Sequence, residues 1–201
     1  MTQALEKLFA LTGQIAEEGV SLVPRVVPPD ALFVQLEHYP KDDCIAPGNK
    51  SRWFYHAHPP EEREEGEHGH FHIFLPRHLF GDTKPLIGPP QKNVKGNKPA
   101  QVVHFAALAF GTDGMPSYWF TTNYWVTHEY MMPATEIAKY LKEFDMTDAP
   151  GDPLVNDWLT AAVQVFHDPL IEMLEERDKA LTESNYTDKA LEVTSRMDFD
   201  L

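Results

Sequence analysis

Apolar and polar positions repeat along this chain with two different periods, and the changes of period mark its parts. Residues 3–18 place Leu5, Leu8, Phe9, Leu11 and Ile15 on one helical face, with glutamates and a lysine around the rest. Gly19 is a natural stop for that helix. Pro24, Pro28 and Pro29 predict an extended connector. Ala31–Tyr39 reads as a strand or short helix ending at Pro40, and Lys41–Lys50 as a loop. From Arg52 the period becomes two. Strands are predicted over 52–58, 68–75, 101–110 and 117–127. The run PPEEREEGE, polar and carrying prolines and a glycine, joins the first pair as a hairpin loop. Gln101–Phe110 is apolar on both faces except for His104, and GTDG at 111–114 turns the chain into the next strand.

The helical period returns after Pro133, with Ile137, Tyr140, Leu141 and Phe144 on one side. Leu154–His167 continues it through Val155, Trp158, Leu159, Ala162 and Phe166. Asp168-Pro169 kinks that helix or caps a new one over Leu170–Leu181. The polar tail after Glu183 is expected to fray or to bind a neighbour. The fold class that results is α+β: an antiparallel sheet of about four to six strands, packed by N- and C-terminal helices. The whole of 1–201 reads as one domain: an N-terminal helix to residue 20, a sheet over 30–130, a helical part over 133–183 and a tail over 184–201.

The first predicted hairpin carries the chemistry. RWFYHAHPPEEREEGEHGHFHIFL, residues 52–75, holds five of the ten histidines: His56, His58, His68, His70 and His72. Residues two apart on a strand share a face, so His56 and His58 point away from Tyr55 and Ala57. By the same spacing His68, His70 and His72 oppose Phe71 and Ile73. Antiparallel pairing brings the two imidazole faces side by side, and imidazole is the common ligand of zinc, iron, copper and nickel. The expected site is therefore a metal hairpin with ligands drawn from His56, His58, His68, His70, His72 and Glu129. Glu129 enters because it stands where the last predicted strand ends and would add a carboxylate to the histidines. His104, the one polar group of its strand, needs a buried partner. It joins Glu129 and Tyr55 as a candidate catalytic group. The plain alternative is that these histidines are packed, hydrogen-bonded side chains, and that Glu129 is an ordinary surface glutamate.

Composition narrows the picture. A formal net charge of −14 argues against nucleic acid and anionic membranes as partners. No stretch approaches the length of a membrane-spanning helix, so no membrane insertion is expected. The single cysteine, Cys44, excludes an internal disulfide and reads as structural. The first residues lack the basic and apolar regions of a signal peptide, which with the cysteine usage predicts a cytoplasmic protein. The segment 77–99 is the one basic stretch, with Arg77, Lys84, Lys92, Lys95 and Lys98 against Asp82. Lys92 and Lys95 are candidate cofactor-binding residues there, drawing an anion over the histidines, unless the loop is merely solvated.

Several motifs together resemble an uncharacterised bacterial family, a domain of unknown function. They are Tyr55-His-Ala-His58, Glu67–Phe74, Thr121–Thr127, Val155–Leu159 and Pro169–Glu172, and the resemblance covers most of residues 35–180. It implies a histidine at His104 and favours Glu129 over His128 as the functional group of its corner. Tyr124 stands where the family has a basic residue. The resemblance implies no reaction. The expected function is thus a metal-dependent enzyme with a mononuclear His or His/Glu site, of oxygenase or hydrolase/lyase type. A transition metal is the expected cofactor, iron or zinc before manganese, nickel or copper. A small-molecule substrate fits that reading. The alternatives are a noncatalytic metal-binding or scaffolding subunit, with a protein partner or a homo-oligomer, and a noncovalent haem binder, since CxxCH is absent.

Overall fold

The structure, a computed structural model, describes residues 2–27, 32–87, 101–184 and 186–201. Its centre is one antiparallel sheet whose strands lie side by side in chain order, β1 to β6. They are β1 (Tyr39–Ile45), β2 (Arg52–His56), β3 (Glu67–Pro76), β4 (Val102–Gly111), β5 (Pro116–Thr122) and β6 (Val193–Asp198). The helices are α1 (Thr2–Glu18), α2 (Leu22–Val26), α3 (Tyr124–Thr127), α4 (Ala134–Tyr140), α5 (Pro153–Val165) and α6 (His167–Glu183). The fold is α+β, as the periodicity predicts.

One face of the sheet makes the main core. Trp53 and Tyr55 of β2, Phe71, Ile73 and Leu75 of β3, Phe105, Leu108 and Phe110 of β4 and Trp119 of β5 bury against the helices. Leu8 of α1, Val155 and Leu159 of α5 and Leu170 and Leu174 of α6 meet them. Burying such large side chains contributes roughly 1.5–3 kcal/mol each, which holds the helical layer to this face. His56, His70, His72 and His104 stand on the other one.

Four expectations are corrected. Lys41–Lys50 is not all loop: β1 occupies its first half and pairs with β2, Cys44 opposite Trp53. Its burial pattern shows why it hides from a period-two search, since only Tyr39 and Cys44 are buried and the exposed middle is charged. No regular element precedes it over 32–38, where a strand or short helix is expected. The connector through Pro24 is helical, because a first-turn residue has no N–H partner to lose. Pro28 and Pro29 lie outside the described residues. The polar tail closes the sheet as β6, with Tyr118 opposite Asp198 and Phe120 opposite Arg196. Phe199 then stacks among Trp119, Trp158 and Phe166. Smaller differences are a strand that stops at Thr122 instead of 127, and a helix break at Phe166, ahead of Asp168-Pro169. No helix among the described residues is long and apolar enough to cross a membrane.

Candidate metal centre

The register of three strands assembles the site. His56 stands opposite His70 across β2 and β3, and Phe54 stands opposite His72. Alternation then puts Phe54, His56, His70 and His72 together on the face away from the main core.

Two bulges complete the arrangement. Between Glu67 and Gly69, β3 spends an extra residue, His68, against β4. This turns His68 to the core side, where its Nδ1 lies 2.6 Å from the Tyr55 hydroxyl. It also lets Glu67 reach His70, three positions away, with Oε1 at 2.8 Å from Nδ1. Only glycine fits at 69: a Cβ there would stand 2.4 Å from the His56 carbonyl oxygen and 2.7 Å from the Tyr55 hydroxyl. The second bulge is on β4, where Phe105 is the extra residue between the partners of Ile73 and Phe74. It brings His104 to the histidine face, Nε2 at 2.9 Å from His72 Nδ1.

At the centre three ring nitrogens meet. His56 Nε2 is 2.8 Å from His70 Nε2 and 3.2 Å from His72 Nε2. Metal–imidazole bonds of about 2.0–2.1 Å put neighbouring ligand nitrogens roughly 2.9–3.4 Å apart, so these two pairs are already near the spacing an ion would impose, and the three ligand atoms all lie within 4.8 Å of one another. His56, His70 and His72 are the one such group among the described residues. The Glu67 carboxylate fixes one tautomer: it accepts from His70 Nδ1, and also from the Tyr118 hydroxyl. His70 therefore presents its Nε2 lone pair to the centre. His72 Nδ1 pairs with His104 Nε2, and His104 Nδ1 faces Thr122 Oγ1 at 3.4 Å.

Electrostatics agree with ligand duty. Burial, reinforced by the neighbouring imidazoles, drives His56 down to about 2 and His72 well below the ordinary histidine range. Burial likewise lowers His104 to about 3, with the Arg177 charge adding to it. Burial also lowers His70, although Glu67 pulls the other way. Burial works to raise the Glu67 carboxyl, but the bonds from His70 and Tyr118 outweigh it and keep the group anionic. The trio is neutral, which is the form that binds metal.

A cleft of about 500 Å³ opens beside it, with His70 and His72 in its floor and His58, Glu67, Tyr118 and Phe120 among its walls. The trio is thus closed by protein on the sheet side and reachable from the other.

The remaining candidates are spread out. His58 sits at the rim, its ring centroid 4.9 Å from that of His56, with Nδ1 3.4 Å from Glu62 Oε2. The expected shared face of His68 with His70 and His72 is broken by the bulge. Tyr55 lies with His68 on the core side, away from the trio. Glu129 is not part of the group: its electrostatic neighbours are Asp43 and Arg52, and its Oε2 is buried without a hydrogen-bond partner among the described residues. Burial pushes its carboxyl up to about 8. Lys92 and Lys95 lie outside the described residues.

Glu67, Tyr118 and Thr122 line the cleft beside the histidines, and the spacing argument misses them. It also misses His38, whose ring stacks on Phe54 at 3.6 Å and turns toward His56 at 6.0 Å. Glu67 had a signal, its position at the head of the Glu-His-Gly-His-Phe-His run. An offset of three from His70 conceals it until the bulge is known.

A family model described as a domain of unknown function (DUF6969) matches residues 2–199. Neither a curated protein nor a solved structure matches the chain.

Proposed function

The chain belongs to that family of unknown function, so the site alone speaks for its activity, and we propose that it is a metal-dependent enzyme in which His56, His70 and His72 hold one ion. The observation that carries the reading is the convergence of three Nε2 atoms whose opposite ring nitrogens, on His70 and His72, are already committed to Glu67 and His104. Such outer partners fix ring orientation and raise the basicity of the ligand nitrogens. Imidazole donors suit zinc, iron, copper and nickel, and of these iron or zinc is the ion we expect, three histidines and an open position being a known catalytic zinc arrangement.

Three neutral ligands leave the charge of a divalent ion uncompensated. Bound there, the ion would supply Lewis acidity to a water or other small molecule in the open position, or redox chemistry if it is iron. This chain's own residues do the rest. Glu67 and His104 orient the imidazoles, Phe54 and Phe120 limit water around them, and His58 stands in the cleft as a group able to exchange a proton with a bound molecule. Tyr55, His68 and Glu129 have no part in it. The open cleft favours an enzyme over a purely structural metal, whose site would be closed by a fourth protein ligand.

The test is the metal content of freshly purified, tag-free protein beside a His70→Ala/His72→Ala variant. Near-stoichiometric iron or zinc is expected in the first and none in the second, with circular dichroism showing both folded. A wild-type protein that takes up no metal even on anaerobic reconstitution would end the reading.

A further inference from the structure

The cleft carries more than a floor. Its apolar wall is Phe120 of β5 together with Val126 and Val193, and its outer rim is Glu61, Glu62, Glu64 and Glu192, all exposed. The one guanidinium of the lining, that of Arg63, is turned inward: its Nη1 donates to the carbonyl oxygens of His68 at 2.7 Å and Glu67 at 3.3 Å. At the other end of β3 the guanidinium of Arg77 is held in the same manner, by the carbonyls of Gly81 and Thr83. Among the described residues, the lining of the cleft therefore carries more carboxylates than cations.

Resting on the three-histidine reading, we propose that this cleft selects a substrate with an aliphatic segment ending in an ammonium group, and disfavours the carboxylate-ended counterpart. The reacting end would lie over His70 and His72, both nearly fully buried and both with Nε2 at the shared centre. The aliphatic segment would cover Phe120 and Val193, and the ammonium would reach the glutamates of the rim. A low-dielectric wall behind clustered carboxylates focuses their field, which raises the local concentration of cations and lowers that of anions. An ion on the histidines attracts anions by itself, so the selection has to be read from the far end of the ligand, not from the end at the metal.

That requirement sets the experiment. Full-length protein is reconstituted with cobalt(II), and its visible spectrum is titrated with hydroxamates that share one metal-binding head. β-Alanine hydroxamate carries an ammonium tail, succinic monohydroxamate a carboxylate tail and propionohydroxamate a neutral one. The ammonium probe is expected to bind at least about tenfold more tightly than the carboxylate probe, with the neutral one between, and the ratio should shrink as salt screens the rim. The Glu61→Gln/Glu62→Gln/Glu64→Gln variant, changed only at exposed positions, should take up cobalt as before and lose most of the ratio. Equal affinities, a preference for carboxylate, or a ratio that survives in the variant would overturn the charge selection while leaving the metal centre standing. Failure to take up cobalt would instead bring down the metal reading, and this inference with it.

Discussion

Glu67 accepts two hydrogens at once, from His70 Nδ1 and from the Tyr118 hydroxyl, and both bonds lie beneath the cleft. A carboxylate can accept both; an amide cannot do so without turning an N–H toward one of them. Glu67→Gln should therefore leave the sheet intact and weaken metal binding about 10–100-fold, because His70 loses the partner that fixes its tautomer. Competition against a chromophoric chelator measures this, and an affinity unchanged within twofold would show that Glu67 has no hold on the site. Alternation put His56 with His58, and His70 and His72 with His68, on facing strands of one hairpin. His68 shares that alternation and still faces the other way, since one inserted residue inverts everything on its far side.

Two strands of the sheet carry almost no hydrophobic signal. β1 is a charged edge and β6 a polar one, each with few buried side chains. Edges meet only one neighbouring strand and are kept polar to avoid pairing with other chains, so the pattern that identifies a central strand is missing there. Besides its pairing with β5, β6 is fastened by the residue just beyond it. Phe199 packs among Trp119, Trp158 and Phe166, with centroid distances from 4.6 to 6.1 Å. Phe199→Ala should cost about 1–3 kcal/mol, less than a fully buried phenylalanine would, because the ring is only partly covered. A urea titration followed by tryptophan fluorescence gives the value. A midpoint equal to wild type would mean that the strand is held without it. β3 and β4, by contrast, were readable within a residue, since both of their faces are buried and their sequences say so.

At the scale of the molecule, one buried acid outside the site sets a pH dependence. The Glu129 carboxyl is raised from its ordinary value near 4.5 to about 8, chiefly by burial. The unfolded chain gives up that proton as pH passes 4.5, and the folded chain keeps it until about 8. The folded state thus binds more protons across this window, so the contribution is fully present below it and is lost as pH rises. Glu129→Gln should flatten the loss of stability between about pH 5 and pH 8 and leave the protein more stable at the upper end, on the order of a few kcal/mol. Urea titrations of both proteins at the two pH values decide it; parallel slopes would mean that Glu129 ionises freely. Local pattern determined the fold class, the central strands, the main helices and the hairpin on which the imidazoles gather, because each of these is written in neighbours two to four residues apart. Tertiary structure alone decided which imidazoles converge. Whether His68 or Glu67 joins His70, and whether His104 stands behind His72, turns on two bulges. A bulge is a mismatch between strands distant in sequence, so no single segment records it. The same holds for the cleft, whose acidic rim and apolar wall come from the β2–β3 loop, β5, the segment after it and the approach to β6, brought together only when the sheet closes in chain order.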